Sequence, residues 1–386
     1  MTDARDENAL IPVGLWELVL YFLRLGALGF GGPIALAGYM QRDLVARRWV
    51  SEQEYKEGLA FSQTCPGPLA AQLAMWMGFI RHGATGASLV GIAFILPPYL
   101  MVLIVAFLYV TYHGLPVVQA LFYGIGPAVI AVVALSAQRL ARTLVGKDKR
   151  LWVIFATLAV ITVVAKAEIA WLFVVSGGIG VLLYHPPQKW RRYRQPESTL
   201  LALPAAAGKA LSLSLLGSLG AFFVKAGAFT FGSGLAIVPF LHQGVVLQHH
   251  WLNERQFLDA VAVGIITPGP VVITAAFVGY LVAGVTGSVI AAAAVFLPVY
   301  LFVLFIGRYI LRYREHPALQ GFVKGATAAA TGAIAGASVI LAEKSVIDLN
   351  TALIGGTALL VLWRFKTPEL LVVALSAVAG VVLYPG

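Results

Sequence analysis

Long apolar stretches separated by short basic ones leave this chain one class of fold. Residues 12–32, 84–110, 115–138, 152–165 and 168–185 reach or approach the ~20 residues that a bilayer-crossing helix needs. A strongly basic stretch follows at 186–200, with Lys189, Arg191, Arg192 and Arg194, and the pattern resumes at 209–231, 284–307, 318–342, 350–363 and 369–385. Only 11% of the 386 residues are charged, against about 25% in soluble domains. The expectation is an all-α polytopic membrane protein. A net charge of 27 − 17 = +10 would suggest nucleic acid on a soluble chain. Here the cations flank apolar runs, where membrane proteins keep them, so membrane lipid is the expected surrounding and nucleic acid is not a partner. One cysteine excludes a disulfide framework, a CxxC redox pair and a thiolate metal site. The polar first ten residues argue against a cleavable signal peptide.

The chain also repeats itself. Leu23–Gly31 matches Val224–Gly232 at an offset of 201, and Trp49-Val50-Ser51-Glu52 matches Trp251-Leu252-Asn253-Glu254 at 202. Glu57 falls on Asp259, and Pro66-Gly67-Pro68 on Pro268-Gly269-Pro270. The offset returns to 201 for Gly78/Gly279, Thr85-Gly86/Thr286-Gly287, Leu96-Pro97/Leu297-Pro298 and Gly124/Gly325. Chance likeness between greasy helices would share Leu and Ala, not Trp, Pro-Gly-Pro and an acid. The expected division is a first half at 1–185, a cytoplasmic linker at 186–208 and a second half at 209–386.

Charge sets the orientation. Residues 41–56, 139–150, 189–194 and 308–314 are basic, and the positive-inside rule puts them all in the cytoplasm. If each Pro-Gly-Pro segment (57–83 and 257–283) crossed the membrane, 41–56 and 139–150 would lie on opposite faces. If each enters and returns as a re-entrant hairpin, both are cytoplasmic and 242–256 is outside. Each half then makes about five crossings. An odd number turns the second half upside down, which is the inverted-repeat plan of many secondary transporters. This scheme places the N-terminus outside.

Arg24 and Lys225 sit at matched positions inside apolar spans. A cation at a helix centre costs roughly 2.5–3.5 kcal/mol on the insertion scale. Snorkelling to the interface or pairing with an acid is the plain alternative. Two cations approaching one midplane from mirrored halves instead suggest a shared anion, and two charges suit a dianion. The breaks Phe30-Gly31-Gly32-Pro33 and Phe231-Gly232-Ser233-Gly234 interrupt both helices, and freed amides at half-helix N-termini are good anion donors. A kink for close helix packing is the alternative. Thr64-Cys65-Pro66-Gly67-Pro68 and Thr267-Pro268-Gly269-Pro270 suit hairpin tips, with Pro68 and Pro270 starting the returning helices. Gln63, Thr64 and Thr267 can add hydrogen bonds, Gln72 and Thr274 lie one turn beyond, and Cys65 reads as a small apolar filler. Ser51-x-x-Glu54 and Asn253-x-x-Gln256 read as capping boxes behind Trp49 and Trp251. Glu57 and Asp259 are either dipole-favourable acids near a helix start or proton-coupling carboxylates. Arg81-His82 reads as an interfacial loop. His242, His249 and His250 lack metal-site spacing, and no nucleotide motif is present, so transport would run on a gradient without a cofactor.

The duplicated halves resemble the chromate ion transporter family in its long, two-domain form. Phe30-Gly31-Gly32-Pro33, the two Pro-Gly-Pro tips, the Arg/Lys-bearing first helices and the loops ending in Trp carry the resemblance. It implies a bacterial or archaeal inner-membrane protein, not an enzyme, that exports chromate and confers chromate resistance, with sulfate as a related substrate. Gly232-Ser233-Gly234 departs from the first half's Gly31-Gly32-Pro33, which leaves open whether both halves contact the ion equally. The resulting expectation is a secondary carrier binding a tetrahedral oxyanion between Arg24, Lys225 and the broken-helix amides, with proton coupling through Glu57 or Asp259 as one route. A sulfate or other oxyanion carrier and an anion channel are the alternatives, and a homodimer is left open.

Overall fold

The computed structural model describes residues 10–30, 32–112, 114–165, 171–184, 215–230, 234, 237–313, 316–365 and 367–385. The expected linker 186–208 and the breaking residues Gly31, Gly232 and Ser233 lie outside the described residues. Every element among those described is helical.

The first surprise is the opening segment. Helix α1 (Leu15–Leu28) ends at Gly29, and α2 (Gly32–Ala46) runs back alongside it. The Ile11 amide donates to the Arg48 carbonyl at 2.9 Å, the Tyr21 hydroxyl donates to Asp43 at 3.3 Å, and the Arg47 guanidinium lies over the Tyr21 and Trp49 rings. Residues 12–32 therefore do not form one crossing, and residue 11 lies at the same end as 41–48, not opposite it as expected. Gly32 explains the reversal. Its φ of +75° is open to glycine at little cost, and Pro33 behind it is pre-set for the first turn of a helix. Charge counting cannot tell a reversal from a kink, because both leave the same residues in the same order.

A second hairpin follows. The Ser51 capping box opens α3 (Glu52–Thr64) as the sequence predicts. The chain turns at Cys65–Pro68 and returns in the first limb of α4 (Leu69–Tyr112), where Gly58 packs against Trp76 and Met77. At 13 residues, α3 is about 20 Å long, well short of the ~30 Å hydrocarbon core. Pro68 precedes the first helical residue rather than occupying it. Arg81-His82 is a structural turn: Arg81 pairs with Glu54, and His82–Gly83 reverses the chain with Gly83 at φ +60°. Gly78 then meets Gly86 backbone to backbone, and the second limb, 84–112, is about 43 Å long at about 1.5 Å per residue. Ala283–Gly284 makes the matching turn in the second half, with Gly284 at φ +61° and Gly279 against Gly287.

The second half follows the same order. It comprises α8 (Leu215–Phe229), α9 (Ile237–Leu241) with its extension His242–Gln248, α10 (Glu254–Ile266) behind the Asn253 capping box, and α11 (Thr274–Leu301) after a single turn at Val271–Ile273. Helix α12 (Gly307–Tyr313) then leads to α13 (Pro317–Ser345), α14 (Leu349–Phe365) and α15 (Glu369–Leu383). Its counterparts in the first half are α5 (Pro116–Leu140), α6 (Lys149–Ala165) and α7 (Trp171–Tyr184). Among the described residues, four helical stretches are long and apolar enough to cross a membrane: Leu69–Tyr112, Pro116–Thr143, Val271–Ile306 and Pro317–Ser345. The expected five crossings per half thus resolve into long helices plus paired shorter ones.

The halves exchange their ends. Helix α13 packs on α6 and α7 of the first half, while α5 packs on α14 and α15 of the second. Small residues allow this. Gly321 lies against Gly180, Gly325 against Ser176 and Gly332 against Phe155, in each case at the neighbour's backbone carbonyl; Gly124 meets Ser376 and Gly380 in the matching place. Such contacts let helices approach closely in lipid, where apolar burial gives little net drive.

Candidate functional site at the crossed tips

The hairpin tips of one half bond to the helix breaks of the other. Gly269 (φ +90°) donates its amide to the Gly29 carbonyl at 3.1 Å, and Gly67 (φ +141°) donates to the Thr230 carbonyl at 2.5 Å. In repeat terms these are the same bond made twice. A side chain at Gly269 would press on Pro98, with its Cβ 2.9 Å from the ring, so the turn needs glycine for both conformation and space.

One of these junctions opens onto a cavity of about 420 Å³. Its walls are the α1–α2 break (Gly29, Phe30, Gly32, Pro33), the second tip (Thr267, Gly269, Val271), the last turns of α5 (Val132, Ser136, Arg139) and the start of α15 (Pro368, Glu369). The first residues of α2, of α15 and of the turn leading into α11 all border it. Helix starts carry unpaired amides and the positive end of the dipole, so three of them around one space favour an anion. Arg139 adds a formal charge at its rim. Its Nη1 is 3.2 Å from Glu369, and the two side chains are 49% and 33% exposed.

Several sequence-selected residues meet here: Gly32, Thr267 and Gly269 line the cavity. Pro268 is buried beside them, while Pro66 and Gly67 form the other tip. Two expectations change. The Thr64 and Thr267 hydroxyls donate to carbonyls one turn back, Ala60 at 2.7 Å and Val263 at 2.9 Å, so neither proton is free for an anion. This back-bonding is a common use of threonine near a helix end. Arg24 and Lys225 do not share the cavity. Both side chains are exposed; Arg24 stands on the outer face of α1 with Trp16, Leu20 and Leu28, and the Lys225 ammonium lies 5.9 Å from the Phe240 ring centre. Helix α1 packs on α4 and α8 on α11, which turns both cations outward from the tips.

The matched acids also differ. Glu57 is half-buried and accepts from Gln53 at 2.9 Å. Asp259 is 4% exposed and accepts from the Tyr109 hydroxyl at 2.7 Å. It borders a polar cavity of about 180 Å³ shared with Gln119, Asn253, Arg255 and Gln256. His242 pairs with Glu254 at 2.8 Å and His249 stacks on Trp251; among the described residues no three potential metal ligands cluster.

Sequence reasoning missed Arg139, Ser136 and Glu369 as cavity residues. A signal was present: Val132, Ser136, Arg139 and Leu140 fall at i, i+4, i+7 and i+8, which puts the polar Ser136 and Arg139 on one face of α5.

A profile described as chromate transporter matches residues 16–181 and 217–381. The chain belongs to the chromate transporter family. It is 52% identical over 376 residues to a chromate transport protein of Cupriavidus metallidurans, covering 96% of this chain and 94% of that one. It is 49% identical to a probable chromate transport protein of Synechococcus elongatus, covering 98% and 99%, and 29% identical to a chromate transport protein of Pseudomonas aeruginosa, covering 100% and 96%. These relatives are named as transport proteins, not enzymes. No solved structure matches the chain.

Proposed function

We propose that this chain is a secondary active transporter that exports chromate across the cytoplasmic membrane, with the cavity at the crossed tips as its anion site. The observation that carries the proposal is the reciprocal pair of tip-to-break bonds beside a space walled by three helix starts and Arg139. Chromate is a tetrahedral dianion, and such a site offers it directed amides and one movable cation. The names of the relatives supply chromate as the substrate; sulfate shares its shape and charge and is expected to compete.

An inverted repeat with two re-entrant hairpins per half fits the contacts. The α3 start lies beside Arg81, next to the origin of the 84–112 limb. The α10 start lies beside Gln119 and Tyr109, at the far end of that limb. Equivalent elements thus enter from opposite ends, and tips about 20 Å deep meet near mid-membrane. The basic segments 41–48 and 139–150 gather at the first end, which supports its being cytoplasmic. In this reading residues 1–185 and 209–386 are the two repeats and 186–208 is a cytoplasmic linker.

Asp259 is the stronger coupling candidate, because it is buried, polar-lined and near the opposite end. Glu57 serves as a helix-start acid. Release of chromate outward while Asp259 takes up a proton would couple export to the proton gradient.

The test is uptake of labelled chromate, with sulfate as competitor, into inverted membrane vesicles. Saturable uptake that a protonophore abolishes is expected, and it should persist in Arg24→Ala and Lys225→Ala. Chromate accumulation equal to that of vesicles lacking the protein would overturn the proposal.

A further inference from the structure

The two Pro-Gly-Pro tips are not chemically equal. One turn beyond the second tip, Thr274 satisfies itself by donating to the Val271 carbonyl at 2.8 Å. Its repeat counterpart beyond the first tip is Gln72, which is 0% exposed. Neither its Nε2 nor its Oε1 has a hydrogen-bond partner of normal geometry among the described residues. The Cys65 thiol lies beside it but is a weak partner at best. A buried amide left with nothing stronger than a thiol beside it is costly and demands an explanation. The side chain points back to the tip, since its Oε1 is 3.1 Å from where a Cβ on Gly67 would stand. It shares that tip with the start of the 69–81 limb, whose first amides have no partner within the helix.

We infer that the first tip is a second oxyanion station, closed in this conformation, and that Gln72 is its ligand. This rests on the transport reading above and deepens it. The cavity at the second tip borders Arg139 and Glu369, on the basic side of the tips. Rocking one repeat against the other would close that cavity and open the mirrored space at the first tip toward the other side, as alternating access requires. There the Gln72 Nε2 donates to an oxyanion oxygen beside the free helix-start amides. Its Oε1 accepts from a water that travels with the ion. The positive end of the helix favours an anion over a cation, and the oxyanion bound at the second tip is the ligand that alternating access would bring there.

Gln72→Leu separates this from a structural role. Replacing an unsatisfied amide by an apolar group of similar size should leave thermal stability unchanged or raised. The KM for chromate uptake should rise at least tenfold. Gln72→Met serves as the second variant. Cys65, the chain's one cysteine, is buried at the same tip, so in wild-type proteoliposomes a membrane-impermeant thiol reagent should modify it from the side away from Arg139. A KM within twofold of wild type in both variants, a KM rise matched by lost thermal stability, or a Cys65 unreactive from both sides would each overturn the inference. Arg139→Gln measured in parallel keeps the two readings distinct: a raised KM there with unchanged KM in both Gln72 variants retains the first site and removes only the second.

Discussion

Arg139 and Glu369 make opposite predictions about one ligand. They form an ion pair at 3.2 Å, but both are partly exposed, so the pair itself adds little to stability, about 0–1 kcal/mol. Their effect on a dianion is larger. For a charge of −2 at about 6 Å and an effective dielectric near 40, each unit charge contributes 332 × 2/(40 × 6), roughly 3 kcal/mol. That corresponds to about a hundredfold in affinity. Arg139→Gln removes the attraction and leaves Glu369 repelling the ion, so KM for chromate should rise by about that factor. Glu369→Gln removes the repulsion and frees the guanidinium, so KM should fall. The double variant should lie near wild type, because the two charges it removes act on the ion with opposite sign. Initial rates of chromate uptake into inverted vesicles over a range of concentrations measure all four. KM raised in both single variants, and raised further in the double, would refute the electrostatic reasoning and make the pair a structural clasp.

The crossed packing of the halves predicts paired stability losses. Gly325→Ala and Gly124→Ala each put a methyl against a backbone carbonyl and should cost about 1–3 kcal/mol, read as lowered thermal stability in detergent. Gly178→Ala, which faces open space, should not lower it. Reversal of the first segment predicts that Ile11→Cys and Arg48→Cys, in a Cys65→Ser background, react with an impermeant thiol reagent from the same side of the membrane and cross-link to each other; labelling from opposite sides would restore a single crossing. If Asp259 couples transport, Asp259→Asn should abolish acceleration of chromate flux by an imposed proton gradient while chromate-for-chromate exchange continues; retained acceleration would clear it of that role.

Much of this architecture was legible because its signals are local. Apolar length marked the spans, and capping boxes placed the starts of α3 and α10. Pro-Gly-Pro marked the tips, and the matching tripeptides in both halves foretold the matched turns. The site was legible only in outline. Gly32, Thr267 and Gly269 line it, but hydroxyl direction is a hydrogen-bond choice that composition does not record, and both threonines spend theirs inside their own helices. Arg24 and Lys225 were selected for depth along the chain. Depth says nothing of facing, and the packing of α1 on α4 and α8 on α11 faced them outward.

By itself, then, the amino-acid order determined that the chain is duplicated, apolar, helical and broken at four places, because each of these follows from residues close in sequence. The tertiary structure alone decided that the opening segment doubles back, that each half lends its last helices to the other, and which of the basic residues borders the anion cavity. Those outcomes depend on pairs such as Gly269 with Gly29, Arg139 with Glu369 and Gly124 with Gly380. Such partners lie over 200 residues apart, and their meeting is set by how closely helices pack rather than by any short-range pattern.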